Sequence, residues 1–159
     1  MHPRAEELIR SLGLVAHPEG GHYRELFRSS SRVEDISRGV ERTAVTHIWF
    51  LLCRGEVSRW HRVLADELWH YYEGATLELH VLDQLLQSSQ LSRLGPVSEG
   101  SVPFHAIPRC RWQAARTTGD YTLAGCTVSP GFSFDDFEML ASSSERNRLG
   151  NAPGLADFL

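Results

Sequence analysis

The chain has 159 residues, a length at which one sizeable hydrophobic core can form while two would each be marginal. Hydrophobic residues at 42% and charged residues at 23% are globular values and exclude a disordered chain, and a net charge of −4 gives no general attraction for nucleic acid or anionic lipid. Every basic residue is Arg, so a Schiff-base lysine or a lysine general base is excluded.

Met1 to Glu7 carries charge where a signal peptide needs an apolar run, and the longest apolar stretch, Ile48 to Cys53, falls far below the roughly 20 residues that span a bilayer. Cys53, Cys110 and Cys126 lack the spacing of zinc or redox motifs and read as small hydrophobes in a reducing compartment. A cytoplasmic protein without a membrane or nucleic-acid partner is expected.

Ala5, Leu8, Ile9 and Leu12 recur at helical spacing between Pro3 and Gly13, which predicts one short amphipathic helix over 3–13. His17-Pro18-Glu19-Gly20-Gly21 demands a turn, after which Tyr23, Arg24 and Glu25 run extended. The segment Ser29–Arg42 is polar and charged and reads as a solvated loop. From Ala44 onward short runs rich in Val, Ile, Thr and aromatic residues alternate with turn residues, an all-β pattern. The runs predict strands over 45–52, 58–63, 67–72, 76–82, 102–107, 111–115, 121–128 and 134–140, with Gln87-Ser88-Ser89-Gln90 as an exposed loop.

No helical pattern intervenes between these runs, so a parallel α/β sheet, whose crossovers need a dozen or more residues each, is excluded. A jelly roll or closed barrel remains. One domain over 1–159 follows, with the barrel at about 17–141 and a tail, 142–159, that wraps the surface.

The stretch Gly55 to Gly74 holds the chemistry. Gly55, His61, Glu67 and Gly74 stand in the spacing of the first cupin motif, with Val63 in the place of its second His. Residues two apart on a strand share a face, so positions 61 and 63 both point inward, and Glu67 can meet them from the next strand. The register Pro108-Arg109-Cys110-Arg111-Trp112-Gln113 resembles the second motif, with Gln113 standing for its third His.

Further phrases resemble a compact branch of the cupin superfamily, a cupin-5-like group without an agreed substrate: His17-Pro18-Glu19-Gly20-Gly21, Trp60-His61-Arg62-Val63, Asp66-Glu67-Leu68-Trp69-His70 and Val128-Ser129-Pro130-Gly131-Phe132. The likeness runs from about His17 to Met139. It implies a cupin-type jelly-roll β-barrel, pairing as a homodimer, and a ligand pocket inside the barrel. Family metal sites use two His, a Glu and a third His; here only His61 and Glu67 remain as candidate ligands, so a divalent metal is a minor expectation.

His61 and Glu67 are the candidate catalytic pair, since a carboxylate beside an imidazole makes an acid/base couple near neutral pH. A core histidine and a structural ion pair are the competing readings of the same two residues. Arg59 shares strand parity with His61 and would hold an anionic group or form a rim salt bridge. Trp69 and Tyr71 share parity with Glu67 and would offer flat faces or pack in the core, while His70 falls on the opposite face. Gln113 offers a donor and an acceptor, and Tyr23 with Arg24 would close the pocket mouth or pair at a sheet edge.

Three functions stay open at this point. One is a pocket that binds a small polar, carbohydrate-like molecule and isomerises or epimerises it, or its nucleotide-linked form, without metal; the likeness there is to deoxysugar epimerases, cupin-type barrels with one inward His and an opposing Tyr, for which Tyr71 and Tyr121 are candidates. The second is a non-catalytic binding or sensing module. The third is a metal-dependent oxygenase or isomerase using His61 and Glu67.

Overall fold

A computed structural model describes residues 1–159. Helix α1 (Pro3–Leu12) starts at a His2 cap with Pro in its first turn, and ends at Gly13 in the left-handed conformation, φ +63°. Ala5 and Leu8 are its buried face. No helix is long and apolar enough to cross a membrane.

Thirteen strands follow. In chain order they are β1 (Val15–Ala16), β2 (His22–Arg28), β3 (Arg32–Asp35), β4 (Val40–Thr43), β5 (Thr46–Cys53), β6 (Val57–Val63) and β7 (Asp66–Gly74). Then come β8 (Leu77–Leu82), β9 (Ser89–Leu94), β10 (Phe104–Ile107), β11 (Gln113–Thr117), β12 (Tyr121–Ser129) and β13 (Phe137–Met139). A six-stranded sheet runs β1-β2-β5-β12-β7-β10, a five-stranded sheet runs β13-β6-β11-β8-β9, and β3 with β4 forms a separate hairpin. The strand pairs are antiparallel, and the two sheets face each other without closing into one cylinder, as in a jelly roll.

The chain is layered. Between the sheets lie Phe50, Leu52, Trp69, Leu77, Leu79, Leu94 and Ile107, inward positions of alternating strands. Helix α1 covers part of the outer face of the six-stranded sheet through Ala5 and Leu8 against Leu51, Cys53 and Leu123. The C-terminal segment covers the outer face of the other sheet: Leu155 and Phe158 are 2% exposed and pack with Trp60 and Trp112, and the Trp60 indole donates to the Leu155 carbonyl at 2.7 Å. The tail therefore completes a hydrophobic layer and is more than a surface wrap.

Several local expectations differ from the structure. Ser29–Arg42 is no plain loop, since β3 and β4 lie within it; the hairpin is held by charge pairs that leave no hydrophobic period to read. Ser89 and Gln90 open β9, an edge strand with one buried residue, Leu94, where a loop was expected. The expected strand 134–140 shrinks to β13, flanked by single 3-10 turns at Phe134–Asp136 and Leu140–Ser142.

Candidate functional site

A cavity of about 510 Å³ lies between the sheets. Its deep end is lined by His17, Glu19, His61, Glu67 and Cys126, its wall by Phe50, Val63, Phe132 and Phe137, and its exposed end by Glu25, Arg28, Arg32 and Glu41. Thus the cavity has an apolar, aromatic wall and a polar floor.

Glu19 reaches the floor because of the turn before it enters β2. The His17 N–H donates to the Gly21 carbonyl at 3.0 Å, and the Gly20 N–H to the His17 carbonyl at 3.0 Å, closing a tight loop. Gly20 has φ +115°, and a Cβ there would meet the Val57 carbonyl oxygen at 2.0 Å. Only glycine permits the loop to press so closely on β6. The Arg59 N–H then donates to the Glu19 carbonyl at 2.9 Å, fixing the loop to that strand.

His61 comes from β6, where a bulge alters the alternation: Gln113 faces His61, yet Ala115, two residues on, faces Ser58, three residues back. Ser58 and His61 consequently share the inner side. The Ser58 hydroxyl donates to Glu19 Oε1 at 2.7 Å, and Glu19 Oε2 stands 3.4 Å from His61 Nε2 and 3.4 Å from His17 Nδ1. The His61 Nδ1 lies 2.8 Å from the Arg59 carbonyl, which can only accept, so the neutral ring carries its proton on Nδ1 and turns a lone pair on Nε2 towards Glu19. His17 has the opposite arrangement, because its Nδ1 accepts the Glu19 backbone N–H at 3.3 Å.

Burial sets the charge states. Glu19 is 5% exposed, and loss of solvent pushes its carboxyl up to about 8 against the smaller opposing pulls of Ser58 and Arg59. Burial likewise raises Glu67, with His61 pulling the other way, and lifts the Cys126 thiol well above the ordinary range. Burial lowers both imidazoles, His17 to about 4 with the help of its neighbour His61. At neutral pH both imidazoles are therefore neutral and Glu19 holds its proton, while Glu67 is shifted in the same direction as Glu19.

The structure brings three of the residues singled out by sequence, His61, Glu67 and Tyr23, to the cavity lining; Arg59, Trp69, Tyr71 and Gln113 stand elsewhere. The β6 bulge takes Arg59 out of parity with His61, and its guanidinium binds the Pro18 and Glu19 carbonyls. Trp69 does point between the sheets, but it is core, 1% exposed, and donates to Gln113 Oε1 at 3.0 Å. Tyr71 donates to the Gly74 carbonyl at 2.6 Å and Tyr121 to Glu73 at 2.7 Å, so neither tyrosine opposes His61 across the cavity. His70, as its parity requires, lies on the other side, against Thr127. Arg24 reaches the Leu12 carbonyl at the end of α1.

Glu19 and His17 are the functional candidates that residue-by-residue reading left out of the site. Their phrase, Pro-Glu-Gly-Gly after a His, signals a turn; the close glycine packing that aims Glu19 inward is a tertiary effect.

The residues present do not fit the metal that the cupin motif implies. Val63 brings no donor atom to the wall. Gln113 spends both ends of its amide, Nε2 on Glu67 and Oε1 on Trp69, and is not free to coordinate. No three His, Cys, Asp or Glu side chains are placed to hold one ion, whereas catalytic sites keep about three good protein ligands.

Comparison with known proteins agrees with the architecture. A family model described as "Cupin superfamily (DUF985)" matches residues 6–140. A hypothetical protein from Leishmania major is 32% identical, with 97% of this chain and 96% of that one covered and a TM-score of 0.82. A protein from Shewanella oneidensis is 30% identical over 97% and 96% of the two chains, with a TM-score of 0.81. Oxalate decarboxylase from Bacillus subtilis shares the fold alone, at 13% identity and a TM-score of 0.58 over 83% of this chain and 32% of that one. No curated protein matches the sequence. The chain belongs to the cupin superfamily, in its DUF985 family.

Proposed function

We propose that the cavity binds a small polar, carbohydrate-like molecule, free or nucleotide-linked, and isomerises or epimerises it by proton transfer without a metal. The observation that carries this reading is the 3.4 Å approach of Glu19 Oε2, a carboxyl raised to about 8, to the free lone pair of His61 Nε2. An acid and a base thus stand side by side at neutral pH, each in the form the chemistry needs. His61 Nε2 takes the proton from a carbon beside a carbonyl while Glu19 gives its proton to the carbonyl oxygen, leaving an enol, an imidazolium and a carboxylate. Return of the two protons, one to the other face or the neighbouring carbon, restores both side chains. Glu67, held by Gln113, offers a second acidic group to the ligand.

The test is solvent-deuterium incorporation into a panel of keto sugars, aldoses and nucleotide sugars, using chelator-treated protein and its His61→Ala variant. Label entering carbon with the wild type alone supports the reading; no label with any member, together with retained binding, favours the non-catalytic module. That second reading has its own support, since Ser58 and Gln113 already satisfy part of each floor carboxyl.

Two further features belong with this reading. Free thiols at Cys53, Cys110 and Cys126 are compatible with a reducing cytoplasm. Exposed Tyr72 and Phe104 beside His47 and His70, on the sheet face that α1 leaves uncovered, support pairing of two copies there; a monomer in sedimentation at micromolar concentration would contradict it.

A further inference from the structure

We propose that the ligand of this cavity presents a protonated amine to Glu19 and Glu67, carried on a small body that packs against the aromatic wall. This rests on the reading above that the cavity is the working site, and narrows what enters it to a cationic molecule, which sets aside the nucleotide-linked form.

The inference starts from an imbalance of charge partners. Three arginines line the cavity, and each already has a carboxylate: Arg28 binds Glu25 at 2.7 Å, Arg32 binds Glu41 at 2.8 Å and Arg42 binds Asp136 at 2.8 Å. An anionic ligand would compete with Glu25, Glu41 and Asp136 for these guanidiniums. At the floor the situation is reversed. Glu19 touches the Ser58 hydroxyl and two imidazoles, and Glu67 touches the Gln113 amide, so their close side-chain partners carry no fixed positive charge. The one nearby guanidinium, Arg59, spends its donors on backbone carbonyls. Two buried carboxyls with no cationic side chain hydrogen-bonded to them, and only the charge of Arg59 near Glu19, are costly to ionise, and a cationic ligand offsets that cost.

The wall supplies the second, independent observation. Phe132, Phe134 and Phe137 pack edge to face at 5.0 to 6.0 Å, and Tyr23 and Phe50 flank His17 in the same lining. Ring faces attract an ammonium group and accept the apolar part of its carrier. A polyol alone would use the carboxyls but gain little from so many phenyl rings.

A proton leaves when the amine arrives. The groups that face Glu19 are His17 from its own turn, Ser58, Arg59 and His61 from β6, Glu67 from β7 and Cys126 from β12. With both imidazoles uncharged, the ammonium becomes the strongest positive charge in the site, and Glu19 ionises to meet it, which leaves Glu67, also raised by burial, as the acidic group for the proton transfer.

Isothermal titration calorimetry with benzylamine, benzyl alcohol and benzoate tests the proposal at about pH 7, in two buffers of different ionisation enthalpy. Benzylamine is expected to bind about tenfold or more tighter than benzyl alcohol, with benzoate weakest, and its heat is expected to differ between buffers because a proton is released. Glu19→Gln, checked for folding by its thermal melt, should abolish the buffer-dependent heat, and with Glu67→Gln added it should bring benzylamine within about threefold of benzyl alcohol. Benzyl alcohol or benzoate matching benzylamine on the wild type overturns the proposal, and so does no benzylamine binding at millimolar concentration. Amine selectivity without deuterium incorporation would sink the isomerase reading alone; deuterium incorporation into neutral sugars without amine selectivity would sink this one alone.

Discussion

The Oε2 of Glu19 and the Nε2 of His61 lie 3.4 Å apart, brought together from a glycine turn before β2 and a bulge in β6. Neither device belongs to regular strand pairing, and each is needed: the turn aims the carboxyl inward and the bulge puts Ser58 and His61 on one side.

The charge states make stability fall on both sides of a maximum. In the folded chain His17, held down to about 4, and His61, also lowered, stay neutral where the unfolded chain takes up protons below its ordinary 6.5, so stability is lost as the pH drops below that value. Glu19 acts in the other direction: raised from 4.5 to about 8, it keeps a proton that the unfolded chain releases, so its contribution is present at low pH and lost as pH rises towards 8. The slopes oppose each other between 4.5 and 6.5, with Glu67, also raised, adding to the alkaline decline and His47, His70 and His80, also lowered, adding to the acid one, so the optimum lies between the two limbs. Each group contributes on the order of 1.4 kcal/mol per pH unit inside its window. Thermal melts between pH 5 and pH 9 should show the maximum, and Glu19→Gln should remove much of the alkaline decline while leaving the acid one. A wild-type profile that keeps rising to pH 8 would contradict these assignments.

Gly20→Ala should cost about 2 kcal/mol or more, since the new methyl meets the Val57 carbonyl at 2.0 Å and the backbone is left-handed, φ +115°. Gly39→Ala is the control. Its φ is +65° with nothing within 4 Å of an added Cβ, and the expected cost is about 1 kcal/mol. Urea unfolding of the two variants checks the difference; equal costs would mean that the turn does not press on β6.

Asp136 ties the β3–β4 hairpin to the cavity's rim by accepting from both Arg38 and Arg42, and these partners hold its carboxyl down to about 2. Asp136→Asn should destabilise the chain by about 1–3 kcal/mol and speed amide exchange through residues 32–43 selectively. In the wild type the same tie is present above the ordinary 3.8 and is lost as pH falls through about 2. Uniformly faster exchange over the whole chain would show that the hairpin is not a separate unit.

How far the residues alone revealed this site depends on what positioned each side chain. Strands such as Thr46–Cys53 and Tyr121–Ser129 were legible because runs of β-branched and aromatic residues between turns leave few alternatives. His61 and Glu67 were legible through the spacing of the two motif glycines, since Gly55 and Gly74 both adopt positive φ. The hairpin within Ser29–Arg42 was not, because Arg38 and Arg42 find their partner, Asp136, some ninety residues on. Arg59 was misplaced for a different reason: strict two-residue alternation fails across the bulge, which the sequence does not mark with a glycine. Glu19 was overlooked because nothing in a turn sequence states which neighbour the turn will press against.

The account depends on a protonated Glu19 facing a neutral His61, and NMR of protein labelled with carboxyl-13C glutamate and ring-15N histidine reads both at once. The predicted result is a Glu19 carboxyl titrating near 8, with His61 neutral at pH 7 and protonated on Nδ1. A Glu19 carboxylate already ionised at pH 6 beside a doubly protonated His61 would contradict it, leaving an ion pair in place of an acid and a base.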